Sequence, residues 1–295
     1  VTRLLALIIK SRRLLNDNHQ HSANEHHQVA KLAALEACVL LKNEQQNLPL
    51  STSDKVGVIG ALAEDTRYQG SGSSQINPTH LDQPPEAISL LKAGVDYVPG
   101  YKLIGATPKC LIDDAIALAE NMDKIILIVG LTRECESEGF DRVHLDLPEG
   151  QMALLEALSQ FHHKITLVLQ NGAPVVLPDV SKVPSILETY LGGQAGASAM
   201  ADILFGVCNP SGKLAETFPR RLEDVTSHAW FPGTNRQSTY REGIWVGYRF
   251  FNTTGNPVAY PFGHGLSYTQ FDYSNLVVAN TNELKPNHEM KVSVI

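Results

Sequence analysis

Lys124-Ile125-Ile126-Leu127-Ile128-Val129-Gly130 is the stretch that decides the fold. It is apolar, unbroken and rich in β-branched residues. A half-solvated strand would alternate polar with apolar residues; this one must be covered on both faces, as in a parallel sheet. The same signal recurs to either side. Lys55 to Gly60, Val95 to Val98, Ile165 to Leu169, Ser185 to Leu191 and Lys213 to Phe218 read as further strands. Between them, Pro84 to Lys92, Leu111 to Met122, Pro148 to Phe161 and Ala195 to Phe205 carry helical periodicity, the first with Pro near its start. A helix is also expected from His26 to about Leu41, where Ala is abundant. Alternating strands and helices predict an α/β fold: a mostly parallel six-stranded sheet with helices on both faces, an α/β sandwich over residues 26–219.

The flanks differ. Residues 1–15 read as an amphipathic helix with nothing nearby to bury its apolar side, so it needs a partner. Residues 220–270 are aromatic-rich and full of Gly and Pro, and are expected to wrap over the sheet domain. From Phe271 onward, Asn275 to Ala279 and Met290 to Ile295 alternate like antiparallel strands, the start of a truncated β-sandwich over 271–295. Unburied apolar faces at both ends favour association, so a homo-oligomer is among the expected partners.

Composition narrows the function. Of 295 residues, 43% are hydrophobic and 19% charged, which suits a globular chain, and the net charge of -7 without a dense basic run argues against nucleic acid. No run of roughly 18 apolar residues is present, so no membrane partner is expected. Cys38, Cys110, Cys135 and Cys208 lie far apart without metal spacing; they read as free, mostly buried thiols of a reducing, cytoplasmic compartment. Secretion is not excluded, because Val1 is no initiator Met. The histidines at 19, 21, 26 and 27 match no metal pattern and read as a polar linker, so no metal or cofactor is expected.

In open α/β sheets chemistry gathers in loops after the C-terminal ends of strands, which directs attention to residues near 61–80, 131–148 and 171–180. The richest is Arg133-Glu134-Cys135-Glu136-Ser137-Glu138-Gly139-Phe140-Asp141-Arg142. Its carboxylates repel one another unless solvated or paired, with Arg133 or Arg142 as the available cations. A carboxyl desolvated in a cleft would have its pKa raised, as a general acid needs. Spacing does not choose among Glu134, Glu136 and Glu138, and a solvated acidic loop is the plainer reading. Gly70-Ser71-Gly72-Ser73-Ser74 lacks the spacing and the Lys of a P-loop, and suits a sugar contact or a structural turn.

Together these stretches resemble the second domain of family 3 glycoside hydrolases. The resemblance runs in the family's order over roughly residues 35–270: Cys38 to Glu44, Gly70 to Ser74, Glu136 to Arg142, Leu145 to Pro148 with Gln151, Asn171 to Val175, Ala201 to Gly206, Asn209 to Leu214, Thr217 to Pro219, Tyr240 to Arg249 and Pro261 to Tyr268. It implies a retaining β-glycosidase, with β-glucosides the leading substrates and β-xylosides and α-arabinosides the alternatives. It matches the family's acid/base carboxylate to Glu138, with Glu136 as the fallback. It places Gly72, Ser73, Ser74, Asp141 and Arg142 at the substrate. The family's nucleophilic Asp belongs to a (β/α)8-like first domain that this sequence lacks. Residues 1–25 resemble that domain's tail and linker, making the domain an expected partner and this chain alone inactive. Residues 271–295 resemble the start of a fibronectin-type-III-like domain. In Gly193-Gln194-Ala195-Gly196, Ala stands where many members carry Glu. The rival readings are a non-catalytic sugar-binding or interaction module and a nucleotide-binding doubly wound domain.

Overall fold

A computed structural model describes residues 1–12, 21–279 and 291–294. The chain forms a six-stranded sheet from β1 (Val39–Asn43), β2 (Val56–Ile59), β3 (Asp96–Val98), β4 (Lys124–Gly130), β5 (Ile165–Gln170) and β6 (Ser185–Glu188), in the spatial order β1-β6-β5-β4-β2-β3. Every neighbouring pair is parallel except β1 with β6. All residues of β4 from Ile125 to Gly130 are buried, as its uninterrupted apolar run requires. Helix α1 (Thr2–Arg12) precedes the sandwich, which the helices α2 (Ala23–Ala37), α3 (Pro84–Leu91), α4 (Lys109–Asn121), α5 (Glu149–Ala157) and α6 (Gly196–Leu204) complete, with α2 and α3 packed on α6, and α4 on α5.

Two expectations at the sheet's margins need correction. The helix read as 26–41 starts at Ala23, where Ser22 caps it by accepting from the Glu25 N–H, and ends at Ala37. Val39, Leu40 and Leu41 are fully buried in β1, because tertiary burial in the sheet outweighs the local Ala-rich helix preference. The sixth strand is therefore β1 rather than residues 213–218. Of those, only β7 (Phe218–Pro219) is a strand, and it pairs antiparallel with β8 (Val258–Tyr260) in a separate ribbon. Phe218 and Tyr260 meet edge-on there.

The free side of β1 is occupied. The Leu266 N–H donates to the Leu40 carbonyl at 2.8 Å, and the His264 imidazole lies 2.8 Å from the Leu41 carbonyl oxygen. The same stretch is held by Leu214, whose N–H donates to the His264 carbonyl and whose carbonyl accepts the Gly263 N–H. Gly212 has to be glycine here: a Cβ would stand 2.2 Å from the Cys38 carbonyl oxygen.

Trp230, Tyr240 and Trp245 in the following segment are exposed. A short helix, α7 (Tyr248–Thr254), buries Phe251. Strands β9 (Val277–Ala279) and β10 (Lys291–Ser293) pair antiparallel, as their alternation predicted. Helix α1 buries none of its residues. All four cysteines are free, but only Cys38 is buried: Cys110 is exposed and the other two are half-buried. Cys135 and Cys208 pack against the margin of the core from loops, and Cys110 faces out from the start of α4. His26 and His27 lie in α2 rather than in a linker; His19 falls outside the described residues. No helix among the described residues is long and apolar enough to cross a membrane.

Candidate functional site

The chain runs from β2 outward to β3, then returns to lay β4 on the other side of β2. The loops leaving β2 and β4 therefore part in opposite directions and open a crevice at their C-terminal ends, where ligands of open α/β sheets bind. The structure brings the three expected loops together there. Ser71 bridges Ser137 and Asp146 bridges Val176, both in parallel sense.

Glu138 stands exposed on this crevice, and the loop from β2 holds it. Its carboxylate accepts the Ser73 N–H at 2.9 Å and a short bond from the Ser73 hydroxyl. These two bonds keep its pKa below the ordinary carboxylate range, the hydroxyl contributing most. Gly72 is required twice over. Its φ of 88° favours glycine, and a Cβ would fall 2.6 Å from that of Glu138. The Gly/Ser stretch thus turns its donors onto a carboxylate of this chain.

Glu136 is differently placed. It accepts the Gly172 N–H with both oxygens, at 3.0 and 2.9 Å, and pairs with the Arg67 guanidinium at 3.4 Å. Arg67 is buried and also donates to the Ser71 hydroxyl. Glu136 is consequently a strut tying the β4 loop to those of β2 and β5. Glu134 and Asp141 point to solvent.

The loop's two arginines take partners outside the acidic stretch. Arg133 bonds Asp65, and Arg142 donates to the Pro174 carbonyl at 3.1 Å. No ion pair joins Asp141 to Arg142 among the described residues. The half-buried guanidinium turns inward under the β5 loop, and Asp141 faces water. Burial lowers the pKa of Arg142, against the opposing charge of Glu136. Ser74, expected beside Ser73 at the substrate, is exposed and makes no contact with Glu138.

Sequence reasoning missed Arg67, Asn171, Glu188 and Glu216. Glu188 ends β6 fully buried and accepts from the Tyr190 N–H at 2.8 Å and the Asn171 amide at 2.9 Å. Burial still pushes it well above the ordinary range. Glu216 is pushed up to about 7 by burial and then by the charge of Glu136. A buried carboxyl closing an apolar strand was a readable signal for Glu188; for Glu216 no local signal exists.

Glu216 gives a pH-dependent prediction. Between its unfolded value near 4.5 and its folded value of about 7, the folded chain holds a proton that the unfolded chain releases, so stability falls as pH rises through that window. Glu216→Gln should remove this loss. We expect it to raise stability by about 1–2 kcal/mol at pH 8, discounted for partial exposure, and by little at pH 4. Urea melts at both pH values test this; equal effects would refute it.

An open hollow of about 400 Å³ lies beside the acidic loop, bordered by Glu136, Glu138, Phe140, Arg142, Ala173 and Phe231. A larger one of about 1040 Å³, bordered by Arg220, Trp230, Arg241 and Trp245, contains none of the acidic-loop carboxylates. The smaller hollow is the one that holds a hydrogen-bonded carboxylate at a topological switch point, a group able to donate or accept a proton. The arrangement offers no set of metal ligands around Glu138 among the described residues.

Residues 38–268 match the family model described as the glycosyl hydrolase family 3 C-terminal domain. The chain is 46% identical over 300 residues to thermostable beta-glucosidase B of Acetivibrio thermocellus, covering 100% of this chain and 39% of that protein. It is 38% identical over 290 residues to an exo-alpha-(1->6)-L-arabinopyranosidase of Bifidobacterium longum, covering 94% of this chain and 38% of the relative. In three dimensions it resembles the crystal structure of a family 3 beta-glucosidase from Bifidobacterium adolescentis, with a TM-score of 0.89 and 38% identity, covering 94% of this chain and 41% of that one. The chain spans less than half the length of these relatives.

Proposed function

The chain belongs to the glycosyl hydrolase family 3 C-terminal domain family, and from that premise we propose that it supplies the general acid/base carboxylate, Glu138, to a retaining β-glycosidase. The observation that carries this reading is the pair of bonds from Ser73 that presents Glu138 at the crevice while Glu136 is spent on Gly172 and Arg67. A retaining mechanism needs a second carboxylate about 5–5.5 Å away to attack the anomeric carbon. That nucleophile is assigned to a (β/α)8-like domain outside residues 1–295. Glu138 would protonate the departing oxygen, then deprotonate the water that releases the sugar. Ionised as it stands, Glu138 suits the second step. Closure of the first domain over the crevice would desolvate it and raise its pKa toward the first.

Phe140 and Phe231, 71% and 60% exposed beside Glu138, suit the apolar face of a sugar ring at the leaving-group side. Asp141 and Arg142 stand at the rim as candidate hydroxyl partners. Terminal β-glucosides are the leading substrate class. α-Arabinosides stay in the reading because one relative is named for that activity, and β-xylosides because of their like geometry.

Residues 1–295 alone should show no turnover of an aryl β-glucoside above background, whereas the full-length protein hydrolyses it. Parallel assays with aryl β-xyloside and aryl α-L-arabinopyranoside rank the substrates. Robust hydrolysis by the isolated chain would place both carboxylates within it and overturn the division of labour.

A further inference from the structure

A second constellation lies on the outer side of the sandwich. His27 comes from the first turns of α2, and His80 and Asp82 from the end of the β2 loop, just before α3. Both imidazole Nε2 atoms aim at one carboxylate oxygen, Asp82 Oδ1, at 3.2 Å from His27 and 3.0 Å from His80. Two nitrogens and a carboxylate oxygen, within 4.8 Å of one another, converge on one point.

We propose that His27, His80 and Asp82 form a binding site for a divalent transition cation of the zinc class, which staples the far end of the β2 loop to the helical layer.

Imidazole and carboxylate are zinc donors, and two imidazoles with one carboxylate are a recurrent zinc set. Bonds of about 2.0–2.1 Å in tetrahedral array would space the donor atoms ~3.3 Å apart. The contacts already present need only a small outward movement, and His80 is free to make it, its side chain being 67% exposed. The other two ligands are fixed, with side chains 15% exposed at His27 and 10% at Asp82. The outer shell is built as well. The Gln194 side-chain amide nitrogen lies 2.9 Å from His27 Nδ1, and turning that amide over would present its oxygen to the Nδ1–H of a ligating imidazole. The Ser198 hydroxyl donates to the second Asp82 oxygen, and the Asp82 N–H donates to the Gln194 carbonyl. A surface histidine pair met by chance would lack such support. Three protein ligands leave a fourth position for water.

Ser73, midway along the loop, holds Glu138, Gln69 clamps the loop by bonding both backbone groups of Ile76, and the cation would hold the loop's far end.

The test uses the full-length protein, freed of metal and without a tag, titrated with Zn²⁺ by calorimetry and with Co²⁺ by visible absorption. The wild type should bind at least one equivalent. His80→Ala and Asp82→Asn should each lose one, with the matching cobalt bands gone from the difference spectrum. Gln194→Ala should weaken that site by roughly 10–100-fold, as loss of an outer-shell partner does. Circular dichroism of the metal-free variants establishes that they fold. If wild type and His80→Ala take up equal zinc, the metal belongs elsewhere and the proposal fails. The absence of saturable binding in the folded wild type would make the trio a hydrogen-bonded cluster alone. Glycosidase activity is not a readout, so this outcome is independent of the role given to Glu138.

Discussion

Replacing Glu138 with Ala in the full-length protein should slow hydrolysis of cellobiose by roughly 10²–10⁴-fold, the usual worth of a positioned general acid. Aryl glycosides with activated leaving groups need little protonation, so their bond cleavage should suffer less. Their turnover would then wait on removal of the glycosyl group, and azide should partly restore it by replacing the water that Glu138 activates. Glu136→Gln is the informative control. It removes charge from a strut that accepts two bonds from Gly172 and faces Arg67, so activity should fall through loop disorder and azide should not help. Ser73→Ala adds a finer test. The Ser73 hydroxyl lowers the Glu138 pKa, so its loss should move the alkaline limb of kcat/KM upward. Azide rescue of Glu136→Gln with a fully active Glu138→Ala would transfer the role to Glu136.

Gln151→Ala should cost about 3 kcal/mol of stability. Gln151 is buried in α5, and its side-chain amide pairs with both backbone groups of Gly130, accepting its N–H and donating to its carbonyl at 2.9 Å each. Gly130 ends β4, immediately before the loop that bears Glu136 and Glu138. Truncation would leave a buried N–H and carbonyl unmet and open a cavity. For a domain of this size that corresponds to a melting point lower by roughly 6–12 °C. The acidic loop would also lose its anchor, so activity should fall even at temperatures well below the melting point. A melting point within about 2 °C of wild type would mean that the backbone there rearranges to satisfy itself.

The centre of the sheet was legible because strands buried on both faces must be apolar throughout, and β4 and β5 advertise that directly. Its antiparallel edge was not. Val39 to Leu41 continue an Ala-rich helix in sequence, and only the partner β6, far along the chain, makes them a strand. The same distance in sequence concealed the site's supports. Glu138 was found through resemblance to a family motif, and the three loops through the rule that function follows strand ends. Arg67 and Gly172, which engage Glu136 and leave Glu138 to Ser73, lie 69 and 36 positions from Glu136. No window of sequence holds both members of such a pair. The grouping of His27 with His80 and Asp82 was hidden for that reason too: His27 was weighed only against the neighbouring histidines at 19, 21 and 26, while Asp82 sits 55 residues on.

The segment running along β1 has a consequence for solubility. An open sheet presents unpaired N–H and carbonyl groups at each border, a template on which another molecule can add a strand. Here one border ends in β3, only three residues long and opened by the charge of Asp96. At the other, Leu266 and His264 already engage the backbone of Leu40 and Leu41. Among the described residues neither border offers a free ladder of useful length: one is kept short, and a piece of the chain's own polypeptide guards the other against edge-to-edge polymerisation.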